Sequence, residues 1–203
     1  YFAMKIQRYM HEYDISEQAL ISVAEKAFYN GSINPTAWRR QALSREDIGT
    51  SQMVSHPLRK YMFCNPAEGA VALVICNAEE AKRYTDKPVF INAAIVRTRH
   101  YGSFEVFSPS QPVITADSPT VIASQAAYEQ AGIGPADIDV AQLQDTESGA
   151  EIIHMAENGF CAHGEQEKLL EERYTSITGK LPVNTDGGCL ANGEPVGASG
   201  LRQ

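Results

Sequence analysis

Residues 184–200 read Asn184-Thr-Asp-Gly-Gly-Cys-Leu-Ala-Asn-Gly-Glu-Pro-Val-Gly-Ala-Ser-Gly200, with five glycines in seventeen positions. Glycines at this density let a backbone approach a ligand closely and take left-handed conformations that other residues avoid. Just ahead of a helix they also aim free N–H groups at a negative charge. The stretch is not a phosphate P-loop, because it lacks the Gly-Lys-Ser/Thr ending. Nor is it the dinucleotide fingerprint, because Gly193, Gly197 and Gly200 are spaced wrongly. A rigidly anchored loop that carries function is the expectation.

Outward from this loop, apolar strands alternate with capped helices. Phe2, Ile6, Tyr9, Met10 and Tyr13 have helical spacing, and the pattern is already running at Tyr1, so the chain reads as part of something longer. Asp14 and Glu17 are expected to box the start of a second helix, with Leu20, Val23, Ala24, Ala27 and Phe28 on one face and Gly31 as terminator. Residues 69–76 are apolar without alternation, the mark of a strand covered on both faces, and they end at Cys76, read as a buried thiol. A short helix is expected over 78–84 and a second buried strand over 89–96, followed by a turn-rich bridge over 99–116. Ser118-Pro119 caps an Ala-rich helix that stops at Gly132. Ile138, Val140 and Leu143 alternate as a strand. Asp145 or Thr146 then caps a helix running to Gly159, and the charged run 165–172 reads as solvated surface. The pattern predicts a layered α/β fold.

Composition excludes several classes. Seventeen Lys+Arg against 25 Asp+Glu give a formal charge of −8, which argues against nucleic acid as a partner. No apolar run approaches the ~20 residues a membrane helix needs, and no basic-then-apolar leader opens the chain, so a cytoplasmic protein is expected. Cys64, Cys76, Cys161 and Cys189 form no C-x-x-C pair, so no metal or redox motif is supported.

The 184–200 stretch resembles the Gly-His-Pro loop of thiolases. Residues 138–151 resemble the strand that delivers that family's Asn- or His-headed motif. Pro57-Leu58-Arg59 and Cys64-Asn-Pro-Ala-Glu-Gly-Ala-Val-Ala-Leu-Val74 resemble its loop region and following strand. The similarity is to the sterol-carrier-protein-X, or lipid-transfer, branch and runs along the whole chain. It implies a thiolase-like fold with helices packed on mixed sheets, of which this chain is about half a subunit. Residues 1–110 would then be the loop region and last strands of the N-terminal half, and residues 111–203 most of the C-terminal half.

Two positions depart from that pattern. Glu194 stands where the family's box has His, and Gln144 where its motif has His or Asn. A carboxylate beside a developing oxyanion opposes acyl transfer by the electrostatics that normally assist it. A carboxyl on an apolar loop is suited instead to taking the proton from a β-hydroxyl, the event that opens a retro-aldol cleavage, while an amide donor polarises a thioester carbonyl or holds a water. Glu194 and Gln144 are therefore the candidate catalytic residues. Asp145, Gly188, Gly193, Gly197 and Gly200 form the candidate substrate or oxyanion loop. Arg39, Arg40 and Arg59, in the one basic region of an acidic chain, are candidates for the phosphates of coenzyme A. No metal is implied.

The resemblance further implies coenzyme A as part of the substrate, a homodimer or larger assembly, and a small OB-fold partner subunit. The favoured reading is an acyl-CoA carbon–carbon lyase in lipid or steroid side-chain degradation. The alternatives are an acetyl-CoA acyltransferase whose nucleophilic cysteine lies outside these residues, and a non-catalytic acyl-CoA- or lipid-binding subunit.

Overall fold

The computed structural model describes residues 1–99 and 117–203. Apart from Arg99, the expected bridge over 99–116 lies outside the described residues, as does the 110/111 boundary. The periodic apolar residues at the start form α1 (Phe2–Tyr13), which buries Ala3, Ile6 and Tyr9. It closes on Asp14 at φ 54°, a left-handed position that Asp tolerates better than most residues. Asp14 is thus taken up in ending α1, and the next helix, α2 (Glu17–Ile33), is capped by Ser16, whose side chain accepts the Gln18 N–H.

α2 also runs through Gly31, where a terminator was expected. A Cβ at Gly31 would lie 2.6 Å from the Ala191 Cβ and 2.7 Å from the Arg39 carbonyl oxygen. Gly31 is a close-approach glycine that lets the 184–200 loop lie on α2.

After α3 (Arg45–Gly49), closed at its start by a Ser44/Asp47 capping box, β1 (Met53–Ser55) pairs antiparallel with β2 (Leu58–Arg59). Among the described residues this is the one named sheet. α4 (Ala78–Ala81) is a single turn inside the expected 78–84 helix. α5 (Pro119–Ala131) begins and ends as read: the Ser118 side chain accepts the Val121 N–H, proline opens the first turn, and Gly132 closes it at φ 69°. α6 (Ser148–Glu157) is capped by Glu147, whose carboxylate accepts the Gly149 N–H at 2.5 Å. Neither Asp145 nor Thr146 has that role, because Asp145 is turned to another helix. α7 (Gln166–Glu171) emerges within the charged run, which is not wholly solvated. Gln166 and Leu170 are buried, and Gln166 Nε2 donates to the Tyr9 hydroxyl at 2.6 Å and to the Ile152 carbonyl at 3.1 Å.

The core forms where α1, α2 and α6 meet. Ile6, Leu20, Ile48, Leu58, Met62, Ile152 and Leu190 are fully buried, each contributing about 1.5–3 kcal/mol of hydrophobic stabilisation. A second cluster holds Ala141, Leu143, Met155, Leu181 and Val183. Between them lies a buried polar network. Lys26 Nζ donates to Glu151 Oε1 at 2.5 Å and to Thr175 Oγ1 at 3.2 Å, and Asn184 Nδ2 donates to Glu151 Oε2 at 2.8 Å. Asn184 Oδ1 accepts the Leu143 N–H at 2.8 Å, and its carbonyl accepts from Asn30 Nδ2 at 3.0 Å. Lys26 and both oxygens of Glu151 are matched, which is the condition for burying an ion pair, while Asn30 Oδ1 is left without a partner. The network anchors the first residue of the glycine-rich loop to α2 and α6.

Three expectations are corrected. Residues 69–76 and 89–96 have no ladder partner among the described residues and are exposed, Val74 at 99% and Val89 at 95%. A strand exists through its neighbours' hydrogen bonds, and an apolar one through the layers that cover it; among the described residues neither is present. Cys76 is exposed for the same reason. Residues 138–143 make one parallel bridge, Ala141 with Val183, in place of a strand. No helix among the described residues is long and apolar enough to cross a membrane.

Candidate active site

The two segments that carry Gln144 and Glu194 are drawn together by a third. Cys64 N–H donates to the Thr146 carbonyl at 3.0 Å, and Phe63 bridges Glu147. On the next residues along, Glu194 N–H donates to the Asn65 carbonyl at 2.9 Å, Ala67 N–H donates to the Glu194 carbonyl at 3.1 Å, and Pro66 bridges Glu194. Cys64 and Asn65 are adjacent, their Cα atoms about 3.8 Å apart. Thr146 and Glu194, 48 residues apart along the chain, are thus held by neighbouring residues of one segment.

Asp145 joins them from below. It is fully buried, and its carboxylate accepts the Cys189 N–H at 2.5 Å and the Leu190 N–H at 3.4 Å, holding the first turn of α8 (Gly188–Asn192). Burial, reinforced by the Glu151 charge, lifts Asp145 well above the usual carboxylate range, against the pull of those N–H groups. Gly188 makes the approach possible, because a Cβ there would collide with that carboxylate. Glu194 follows α8 by two residues, so Asp145 fixes the helix that presents it.

Glu194 is 8% exposed. Its Oε1 accepts the Ser199 hydroxyl at 2.5 Å, from the first residue of α9 (Ser199–Arg202). Its Oε2 is buried without a hydrogen-bond partner, the one carboxylate oxygen so placed among the described residues. The turn beyond is strained: Val196 holds a φ of 50°, costly for a β-branched residue and kept only where the surroundings impose it. Arg202 Nη1 clamps this turn, donating to the carbonyls of Asn192 at 2.9 Å and Gly193 at 2.7 Å.

The side chain of Gln144 is exposed and borders a hollow of about 280 Å³ with Lys5, Thr146, Glu147, His154 and Glu157. Gly193 is buried against Ala67, while Gly197 and Gly200 have open space around them. The three arginines separate. Arg39 is half-buried, donating to the carbonyls of Phe63 and Leu190 at 3.1 Å each and to the Asn65 side chain, with its guanidinium 5.4 Å from the Phe28 ring centroid. It pins the 63–65 segment to α8, a bracing role that the charge pattern alone does not reveal. Arg40 is exposed and donates to the Pro35 carbonyl, and Arg59 donates to the Ser51 carbonyl.

The thiols near the site are not activated. Burial, then the Glu194 and Asp145 charges, push Cys64 up to about 11, and burial, the Asp145 charge and a hydrogen bond with the Glu194 carboxyl push Cys189 up as well. Cys161 is raised to about 12 by burial. A thiol is nucleophilic as its thiolate, so these are poor nucleophiles near neutral pH. Among the described residues no group of three or more His, Cys, Asp or Glu is arranged to hold a metal ion.

Sequence reasoning missed Glu147. Buried at the start of α6, it is raised from 4.5 to about 7 by desolvation, opposed by the Gly149 N–H. The folded state binds this proton more tightly than the unfolded state, so its stabilising contribution is complete below about pH 4.5 and is lost as pH rises through about 7. Glu147→Gln keeps the capping oxygen and is expected to flatten the stability–pH profile across that window, as urea midpoints at a series of pH values would show.

These features define a thiolase-like fold, in which the 63–67 segment ties the glycine-rich turn to the start of α6. Residues 107–203 match the family described as "Thiolase C-terminal domain-like". Over 203 residues it is 34% identical to the benzoylsuccinyl-CoA thiolase subunit BbsB of Thauera aromatica, covering all of this chain and 51% of that protein. Over 202 residues it is 31% identical to the steroid side-chain-cleaving aldolase of Thermomonospora curvata, covering 99% of this chain and 51% of that protein. A solved structure described as "Ltp2-ChsH2(DUF35) aldolase" superposes with a TM-score of 0.86 at 30% identity, over 99% of this chain and 53% of that chain. The chain spans about half the length of the curated relatives it matches.

Proposed function

We propose that the protein containing this chain is an acyl-CoA carbon–carbon lyase that cleaves a β-hydroxyacyl thioester by a retro-aldol reaction. The observation that carries this reading is the buried, unpartnered Oε2 of Glu194 on the turn where the family's box has His. A carboxylate accepts the proton of a β-hydroxyl. The Cα–Cβ bond then breaks, the β-carbon leaves as a ketone or aldehyde, and the electron pair passes to the thioester as an enolate. A proton returned to Cα completes the shortened acyl-CoA. Gln144, reached through Asp145 and the 63–65 segment, supplies a neutral amide donor to the thioester oxygen or to a water. The named aldolase relatives support the reaction class.

Arg40 and Arg59 are the candidates left to meet coenzyme A phosphates, since Arg39 is engaged inside. Residues 1–110 would close the N-terminal half of a subunit and 111–203 form most of the C-terminal half. The subunit would work in the cytoplasm, in lipid or steroid side-chain degradation, as a dimer or larger assembly. A small OB-fold subunit would accompany it; the description of the aldolase structure names a second, DUF35 component for that protein.

The similarity to the thiolase subunit BbsB favours acyl transfer as a second reading, with a nucleophilic cysteine supplied from beyond these residues. Treating the full-length protein with iodoacetamide before assay separates the two. The lyase is expected to keep releasing a ketone or aldehyde from a β-hydroxyacyl-CoA, detected as its hydrazone. Loss of all turnover on alkylation, with acyl-CoA formed from free coenzyme A before treatment, would establish the acyltransferase instead.

A further inference from the structure

We infer that Ser199 is a positioning residue for the reaction proposed above: its hydroxyl holds one oxygen of Glu194 so that the other faces the substrate. The inference rests on that reading of Glu194 and adds how its carboxylate is aimed.

Three groups constrain Glu194. Its backbone is held on both sides, N–H to the Asn65 carbonyl and carbonyl to the Ala67 N–H, which fixes its Cα against the 63–67 segment. The preceding carbonyl, Gly193, is clamped by Arg202. The side chain still has its rotamers, and the Ser199 hydroxyl, 2.5 Å from Oε1 and itself 6% exposed, selects among them.

Other buried carboxylates show the difference. Asp145 uses both oxygens on α8, and Glu151 gives one to Lys26 and one to Asn184. Glu194 accepts the Ser199 hydroxyl on Oε1 and has the Cys189 thiol beside its carboxyl, while Oε2 is buried without a hydrogen-bond partner. A carboxylate has about four acceptor sites, and an unmet buried acceptor is costly unless something pairs with it. A hydroxyl donor on the substrate completes the set. Loss of the Ser199 hydroxyl leaves the carboxyl in place and frees it to rotate, so reactive geometry suffers more than binding.

The test compares Ser199→Ala, Ser199→Thr and Ser199→Val in the full-length protein, alone and combined with Glu194→Gln, reading kcat and KM for retro-aldol turnover together with thermal midpoints. Thr and Val match in shape and differ in the hydroxyl. Ser199→Ala and Ser199→Val are expected to lower kcat by up to about 10²-fold with KM changed less than about twofold, while Ser199→Thr recovers most of the rate. In the Glu194→Gln background the same changes are expected to cost nothing further, as for residues acting through one another. Equal rates for the Thr and Val variants, or a full Ser199→Ala loss on top of Glu194→Gln, would overturn the positioning role. If Glu194→Gln is impaired while all three Ser199 variants turn over normally, this inference alone fails. An unimpaired Glu194→Gln removes the reading beneath it.

Discussion

Glu194→Gln in the full-length protein is expected to lower retro-aldol turnover by about 10²–10⁴-fold, the range for loss of an acid/base group. The substitution is a close test because so little else changes. The amide keeps the side-chain volume, its oxygen still accepts the Ser199 hydroxyl, and the backbone hydrogen bonds to Asn65 and Ala67 remain. What is lost is the capacity to take a proton. KM should stay near its starting value, since binding does not depend on that transfer. Quenched-flow measurement of the carbonyl product reads the chemical step directly. A rate within twofold of the unmodified protein would exclude Glu194 as the base and leave the acyl-transfer reading standing.

The largest stability effect is expected at Lys26. Its side chain is 8% exposed, and the ammonium meets a wholly buried Glu151. Lys26→Met leaves the Glu151 charge with Asn184 as its remaining partner, and stranding one member of a buried pair typically costs about 3–5 kcal/mol. Equilibrium urea unfolding followed by circular dichroism gives the value. Lys26→Met combined with Glu151→Leu should be less destabilised than Lys26→Met alone, because no buried charge is then left uncompensated. Should the double variant prove the less stable of the two, the stabilising element would be the Asn184 hydrogen bond and not the ion pair.

The local signals in the sequence were reliable where the physics is local. Ser118-Pro119 and Gly132 bound α5 because capping and left-handed closure are settled within one turn of chain. Gly31 was misread because its role is tertiary: what it avoids is Ala191, 160 residues away. Asp145 looked like an N-cap for the helix beside it, yet its carboxylate serves α8, and Glu147 does the nearer work. Arg39 looked like a free cation because a sequence shows charge and not the carbonyls that surround it. The 69–76 and 89–96 stretches carry the apolar signature of covered strands, but coverage belongs to the assembled fold and cannot be read from composition. At the site, the resemblance singles out positions 144 and 194, but Gln144 borders a hollow whose lining does not include Glu194. The segment that joins them, and the hydroxyl beside Glu194, were visible only in three dimensions.

The Arg39 brace also bears on how the protein acquires activity. Its guanidinium grips Leu190 across a sequence separation of 151 residues and Phe63 across 24. Contacts of such long range form late, after the entropy of closing the intervening loops has been overcome. An intermediate in which α1 and α2, neighbours along the chain, are already helical would therefore give part of the helical signal while Glu194 was still unplaced. Recovery of catalysis during refolding should lag behind recovery of ellipticity, and that interval measures the closing of this clasp.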